Sequence, residues 1–352
     1  VRLMFDPAFL LTHPAFGIAT KARLATLLPD MIKAGRATDP NLMHTAVEFD
    51  DESVADYIRR RVGDDFLENY IEPFFRAPWN WEPEGISKAY LMTMLGHVVN
   101  EEKFTFRQGI GHLTRTLASK LNIRLGTTVT SIDLKDGRRV VDFVIDGAAQ
   151  SIEADIVVCA TQGNKVLGVA RGLDAREEAF FGAVRYTQCA RAYYVLKRPP
   201  AKPRKLWFTR KHPSPLGVHA EYASDPFAPE GHVQPPYIRT EIAPFMKERI
   251  VREGGQKRLD SYMRPRAQEL YPQLEQDLEA VVEQWWDEML SEWYPGYARK
   301  VAAFLADQDA TPRSLYFAGD YLSHAHTGGA CASGRSVARL VDRHWKGRSP
   351  GK

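Results

Sequence analysis

No uninterrupted apolar run in the chain approaches the ~18 residues that a membrane-spanning helix needs. Cysteine is scarce. Cys159, Cys189 and Cys331 are the only three among 352 residues, too few and too scattered for a disulfide framework or a zinc site. That usage implies a reducing, cytoplasmic setting. Charge of one sign is not concentrated either. Lys and Arg number 47 against 44 for Asp and Glu, a formal net charge of +3, and without a dense basic face nucleic acid is excluded as a partner. There is no secretory signal peptide and no initiator methionine: the chain opens at Val1 in "VRLMFDPAFLLTHPAF". A fragment is the expected explanation, ahead of a processed chain or one half of a split protein.

What is present is ordinary for a globular protein: 44% hydrophobic and 26% charged residues. The length suffices for a large core and two domains. Residues 1–100 read mostly as helices. "TKARLATLLPDMIKAG" puts Leu24, Leu27, Leu28 and Ile32 on one face. "DDESVADYIRRRVGDDFLENYIEPFF" starts with acidic residues and Ser53, and Val54, Tyr57, Ile58, Val62, Phe66 and Ile71 line its buried side, with Gly63 as a break.

The period then changes. "QGIGHLTRTLASKL" is a glycine-entered amphipathic helix. It is followed by short β-type runs separated by "KDG" and "DG" turns. "DIVVCA" is a continuous apolar run, expected to be a strand buried on both faces. "CARAYYVLK", "KLWFTR", "GVHAEYA" and "YIRTEIA" read as strands between proline-rich loops. Residues 246–290 read as helix, including an amphipathic "LEAVVEQWWDEML". Strands of one type alternate with distant helical stretches, which favours two domains woven from several segments.

The chemistry concentrates in "SLYFAGDYLSHAHTGGACASGRSVARL". A strand ends at Gly319. Asp320 then stands at its C-terminal edge, where ligands sit in open α/β sheets. Thr327-Gly328-Gly329-Ala330-Cys331-Ala332-Ser333-Gly334 opens a helix whose first turn is nearly bare. Small residues let a flat ligand lie against the backbone, and the helix N-terminus offers free N–H groups and partial positive charge. The plain alternative is that these glycines serve close packing alone.

These residues resemble the C-terminal flavin-binding motif of the flavin-containing amine oxidase superfamily. Three further segments are similar to that family, in the same order: the helical "SVADYIRRRVGDDFLENYIEPFFRAPWNWEPEGIS", which is closest to the protoporphyrinogen-oxidase-like branch; "FRQGIGHLTRTLASKLNIRLGTTVTSIDL"; and "IEADIVVCAT". The resemblance implies an α/β fold with an α+β substrate domain. An incomplete Rossmann-like FAD-binding domain would be interleaved with a mixed-sheet and helical substrate domain. Residues 1–105 form a mainly helical substrate part, 106–170 an FAD-binding segment, 171–300 the substrate domain of sheet and helices, and 301–352 the C-terminal FAD-binding strand and helix. The implied cofactor is FAD. Val129 would meet its adenine end, Ala160 and Thr161 the adenosine and diphosphate, Gly319 the diphosphate, Asp320 a ribityl hydroxyl, and Gly329 and Ala330 the pyrimidine edge.

The family's N-terminal strand–G-x-G-x-x-G–helix unit is missing. "GIG" at 109–111 has no buried strand before it, and position 114 is Thr114. A missing N-terminal segment or a second chain is therefore expected to complete the site, and apolar surface should be exposed where that unit belongs. The implied activity is FAD-dependent hydride removal from a hydrophobic or aromatic small molecule; the alternative is a non-catalytic partner subunit or degenerate relative. Catalytic residues are not identified. Arg191 falls near the family's flavin-side lysine, though an ion pair is its plainer role. Trp79, Trp81, Trp207, Tyr222 and Trp293 are candidates for a substrate pocket or for core packing. His324 and His326 read as solvated, and Cys331 as a small packing residue. Because relatives handle greasy substrates, the resemblance leaves room for peripheral membrane contact through residues 1–100.

Overall fold

The computed structural model describes residues 11–98, 106–212, 214–224, 228, 230–232 and 234–346. The rest of the opening and closing stretches discussed above lies outside the described residues.

The chain enters through helices α1 (Ile18–Leu24) and α2 (Leu28–Ala37). The expected stripe does not hold across them. Leu27 is buried and Leu24 packs on the core, but Leu28 and Ile32 are 53% and 57% exposed. A 3-10 turn at Ala25–Leu27 and Pro29 in the first turn of α2 reset the helical phase. The phase instead turns Ala34 inward, and beside it a Cβ on Gly35 would lie 2.7 Å from the Gly96 carbonyl oxygen. Only glycine allows that crossing.

Helix α3 (Val54–Arg61) is capped by Ser53, whose hydroxyl accepts from the Asp56 N–H. Gly63, at φ 132°, breaks the run before it resumes and ends as α4 (Glu72–Trp79). The six residues assigned to its inner face are all buried. Helices α5 (Lys88–His97) and α6 (His112–Ala118) follow.

Strands β1 (Thr127–Lys135), β2 (Arg138–Ile145) and β3 (Ala148–Ala154) form an antiparallel meander. Its two turns are Asp136-Gly137 and Asp146-Gly147, with positive φ at all four residues, as two-residue hairpins require. After β4 (Val157–Cys159) and α7 (Ala175–Gly182) comes a five-stranded antiparallel sheet in the order β6-β7-β8-β5-β9. Its strands are β5 (Cys189–Leu196), β6 (Lys205–Trp207), β7 (Leu216–Tyr222), β8 (Tyr237–Ile242) and β9 (Leu278–Trp286).

Strand β9 corrects the expectation of a helix there. Leu278, Val281 and Trp285 recur at spacings of three and four, which suits a helix. Tertiary pairing overrides that pattern: β9 binds β5 from Cys189↔Trp286 to Leu196↔Leu278. The adjacent Val281–Val282 and Trp285–Trp286 favour such an edge. Helix α8 (Lys247–Arg252) and helix α9 (Leu259–Leu270) precede it. Leu259, Met263 and Ala267 of α9 pack beneath the sheet with Ala192, Tyr194 and Ile238.

The chain ends with α10 (Tyr297–Ala310), β10 (Leu315–Phe317) and α11 (Thr327–Trp345). Strand β10 runs parallel to β4, pairing Leu315 with Val157 and Phe317 with Cys159. One large core joins the helices of residues 16–95 to Cys159, Phe181, Trp293, Tyr297, Leu315 and Phe317. Strand β4 departs from the expected burial on both faces, because Val158 is 45% exposed.

Candidate active site

Two parallel strands end side by side. Ala160 and Thr161 leave β4 where Gly319 and Asp320 leave β10, and the Ala318 N–H donates to the Cys159 carbonyl between them (3.1 Å). This is the carboxyl edge of a parallel sheet, where backbone N–H groups and loop side chains converge. The other edge of β10 is closed by a side chain. Gln308 accepts from the Phe317 N–H (2.7 Å) and donates to the Phe317 carbonyl (3.3 Å).

Two serines fix the strand end to α11. The Ser323 hydroxyl lies 2.6 Å from the Gly329 carbonyl and 3.2 Å from the Gly319 carbonyl. The Ser333 hydroxyl accepts from the Gly319 N–H at 3.0 Å. His326 caps the helix: its Nδ1 accepts from the Gly329 N–H at 2.9 Å, which leaves Nε2 to donate toward Pro40. A Cβ on Gly329 would overlap the His324 carbonyl oxygen. Close packing therefore requires a glycine at this position.

Asp320 is half-buried and accepts from the Ser291 hydroxyl at 3.2 Å. Burial pushes its carboxyl up, and the Ser291 hydrogen bond opposes this. His324 corrects the solvated reading: it is buried, its ring lies between those of Tyr90 and His326 in tilted contacts, and burial pushes its pKa well below the ordinary histidine value. Its Nδ1 has no partner among the described residues. Tyr321 is buried with an equally unpartnered hydroxyl. A hydroxyl-accepting carboxylate, a bare helix N-terminus and unpartnered buried polar atoms fit the ribityl and ring portions of a flavin.

A cavity of about 900 Å³ is lined in part by Tyr186, whose backbone bridges Ser291, the residue that donates to Asp320. Tyr186 lines the cavity and its hydroxyl accepts from the Gly163 N–H (3.0 Å). Asn80, Trp81, Thr187, Lys247, Glu288 and Glu292 also line it. The wall is part polar and part apolar. Asn80 Oδ1, Trp81 Nε1 and Thr187 Oγ1 are buried there without partners among the described residues.

Of the aromatic candidates, Trp81 alone lines this cavity. Trp79 stacks on Trp81, Trp293 packs edge-on to Tyr297 in the core, Tyr222 stacks on Tyr237 and Trp207 is exposed. Arg191 is held by an ion pair with Glu241 (2.7 Å) and lies over Trp286. Cys331 is exposed on α11. Val129 belongs to β1, in a different sheet, with an exposed side chain. Ser291, Ser323 and Tyr186 escaped notice in the sequence, and Ser333 was read only as one of the small residues that open α11. Isolated serines and tyrosines carry no local signal, although Ser323 and Ser333 sit inside the glycine-rich stretch.

Residues 15–342 match the family described as "Flavin containing amine oxidoreductase". No curated protein sequence matches the chain. Among solved structures it is similar to putrescine oxidase bound to putrescine, at 14% identity and TM-score 0.66, covering 94% of this chain and 77% of that one. It is also similar to an Exiguobacterium sp. protein assigned as a protoporphyrinogen oxidase, at 15% identity and TM-score 0.64, covering 96% and 75%. Cyclohexylamine oxidase from Brevibacterium oxydans shares 12% identity at TM-score 0.58, covering 92% and 75%. At these identities the likeness is one of fold.

Proposed function

The chain belongs to the flavin-containing amine oxidoreductase family, and on that premise we propose that it is an FAD-dependent oxidoreductase that removes a hydride from a C–H bond of an organic substrate. The carrying observation is Asp320 at the carboxyl edge of the β4–β10 pair, tied by Ser323 and Ser333 to the start of α11. Bound there, the flavin supplies a two-electron acceptor.

The chain's own residues hold and orient. Asp320 would accept a hydrogen bond from a ribityl hydroxyl. Gly329 and Ala330 would lie near the pyrimidine edge, with the N-terminus of α11 favouring negative charge there. Ala160 and Thr161 would lie along the diphosphate, near Gly319, and Val129 would meet the adenine end. The cavity of Trp81, Thr187 and Lys247 would hold the substrate and keep water from it. Its mixed wall argues for a substrate that carries hydrogen-bonding groups as well as apolar surface.

The site is completed by a glycine-rich strand–turn–helix unit from outside these residues. Leu121, Ile123 and Leu125 alternate as strand residues do, yet all are exposed and belong to no strand. Val158 on β4 and Leu117 on α6 are exposed too. These positions expose apolar surface that such a unit would cover.

The visible spectrum of the purified full-length protein tests this function. A flavin band near ~450 nm is expected, and Asp320→Ala should weaken its retention. A folded full-length protein without flavin, which also takes none up from solution, would overturn the proposal.

A further inference from the structure

One short segment ties both ends of the ligand edge to the cavity wall. Residues 287–292 leave β9 and run beside residues 185–187, held by three backbone hydrogen bonds. The Thr187 N–H donates to the Leu290 carbonyl (2.9 Å), the Met289 N–H to the Thr187 carbonyl (2.7 Å) and the Glu292 N–H to the Arg185 carbonyl (2.9 Å). From this segment Ser291 donates to Asp320, just past β10, at 3.2 Å. Three residues earlier, Glu288 holds the other strand end. Its Oε1 accepts from Asn164 Nδ2 at 2.5 Å and from Lys165 Nζ at 2.6 Å. Its backbone carbonyl accepts from Gln162 Nε2 at 3.4 Å.

These three donors follow Ala160 and Thr161 directly out of β4. Asn164 and Lys165 belong to the 3-10 turn Gly163–Lys165. The Gly163 N–H donates to the Tyr186 hydroxyl (3.0 Å), and Tyr186 bridges Ser291, which closes a ring of contacts. The turn is also pressed inward. A Cβ on Gly163 would lie 2.9 Å from the ring of Tyr321, the neighbour of Asp320, and 2.9 Å from Val184. Asn164, Tyr186, Thr187 and Glu288 all line the cavity. The support of the β4 exit and the wall of the cavity are therefore built from the same residues.

Stability alone is a poor reason for this arrangement. The Lys165 and Glu288 side chains are 54% and 23% exposed, and ion pairs at such sites contribute little to folding. Three donors from one four-residue stretch converging on one acid instead restrict where that stretch can lie, and a reaction between two bound groups depends on such placement.

We propose that Glu288 is a positioning residue: it holds the loop that leaves β4, and with it Ala160 and Thr161, in register with the cavity wall. The proposal rests on the flavin-binding function above, which assigns Ala160 and Thr161 to the diphosphate. Glu288 acts through Gln162, Asn164 and Lys165, while Ser291 does the same for Asp320 on the neighbouring strand. The two residues stand on one segment, so the two halves of the edge move together or not at all.

Two measurements on the full-length protein test this. The first needs no cofactor: amide hydrogen exchange is followed by mass spectrometry. Glu288→Ala should speed exchange over residues 160–166 by about tenfold. Glu288→Gln, which keeps an acceptor for Asn164, should speed it less, and β1–β3 should be unchanged in both. Unchanged exchange over residues 160–166 overturns the proposal. So does an equal rise throughout the chain, which would mark a merely stabilising contact.

The second is a double-mutant cycle on FAD affinity, read by titrating flavin into the apoprotein. Glu288→Gln and Lys165→Met should each raise Kd by about fivefold, and the two together no more than either alone, since both break one tie. The visible circular dichroism of the bound flavin should change shape in the same variants. Additive losses, or parent-like affinity and spectrum in both variants, overturn the positioning role and leave the flavin-binding function intact. A parent that takes up no flavin overturns that function and this role together.

Discussion

The hydroxyl of Ser323 lies 2.6 Å from the carbonyl oxygen of Gly329, and 3.2 Å from that of Gly319. One buried side chain thus ties the end of β10 to the first turn of α11. Ser323→Ala would leave a buried carbonyl short of a donor, and the expected cost is about 1–3 kcal/mol. Urea unfolding checks it. Flavin retention should fall in the same variant, because strand and helix lose their common tie.

Two glycines of α11 should respond oppositely to alanine. At Gly329 a methyl would overlap the His324 carbonyl, so Gly329→Ala is expected to destabilise by about 1–3 kcal/mol. Gly334 is exposed with nothing within 4 Å of its Cβ position. There alanine should stabilise by about 0.5–1 kcal/mol. Equal effects at the two sites would contradict the packing described for α11.

His324 should make the fold sensitive to mild acid. Burial depresses its pKa well below the ordinary 6.5. Below that value the unfolded chain binds a proton that the folded chain refuses. Its contribution is therefore complete above 6.5 and drains away as pH falls toward the folded value. His44, His219 and His326 are depressed in the same direction and add to the slope. Melting temperatures between pH 8 and 5 should fall less steeply in His324→Asn than in the parent.

Arg191→Met should cost stability before anything else. It strands Glu241, which is 1% exposed, at an expected cost of about 3–5 kcal/mol. Burial already pushes the Glu241 carboxyl up against the pull of Arg191. The loss should therefore be largest at neutral pH and shrink in acid, where the stranded carboxyl takes a proton. Chemical denaturation at pH 7.5 and pH 5 separates the two cases.

Leu125→Glu and Val158→Lys should leave the stability of this chain within about 0.5 kcal/mol, because both side chains already face solvent. On the proposal that a glycine-rich unit from outside these residues covers them, the same changes should block flavin retention. A large destabilisation of the isolated chain would show that these side chains are buried by the chain itself.

Much of the site was legible because its signals are local. Gly319-Asp320 and the bare start of α11 lie within a dozen residues, and the Asp-Gly turns of the meander declare themselves in two. The strands of the large sheet were legible for the same reason, with β9 excepted: Leu278, Val281 and Trp285 fit a helix as well as a strand, and only the unpaired edge of β5 decides between them. The misplaced faces of Leu28 and Ile32 arose from a phase reset at a 3-10 turn. His324 was misjudged because burial is a property of neighbours such as Tyr90, far away in sequence.

The pairing of β4 with β10 has a bearing on how the molecule is made. Val157 meets Leu315 across nearly half of the length of the chain, so the entropy of closing a long loop must be met before that contact contributes anything. The antiparallel meander and the large sheet can form on shorter segments first. During synthesis the ligand edge cannot exist until β10 and α11 have been released, close to the C-terminus. A chain stopped before Leu315 would keep most of its helices and strands but lack the β4–β10 pair. Assembly of this edge waits for the late segment.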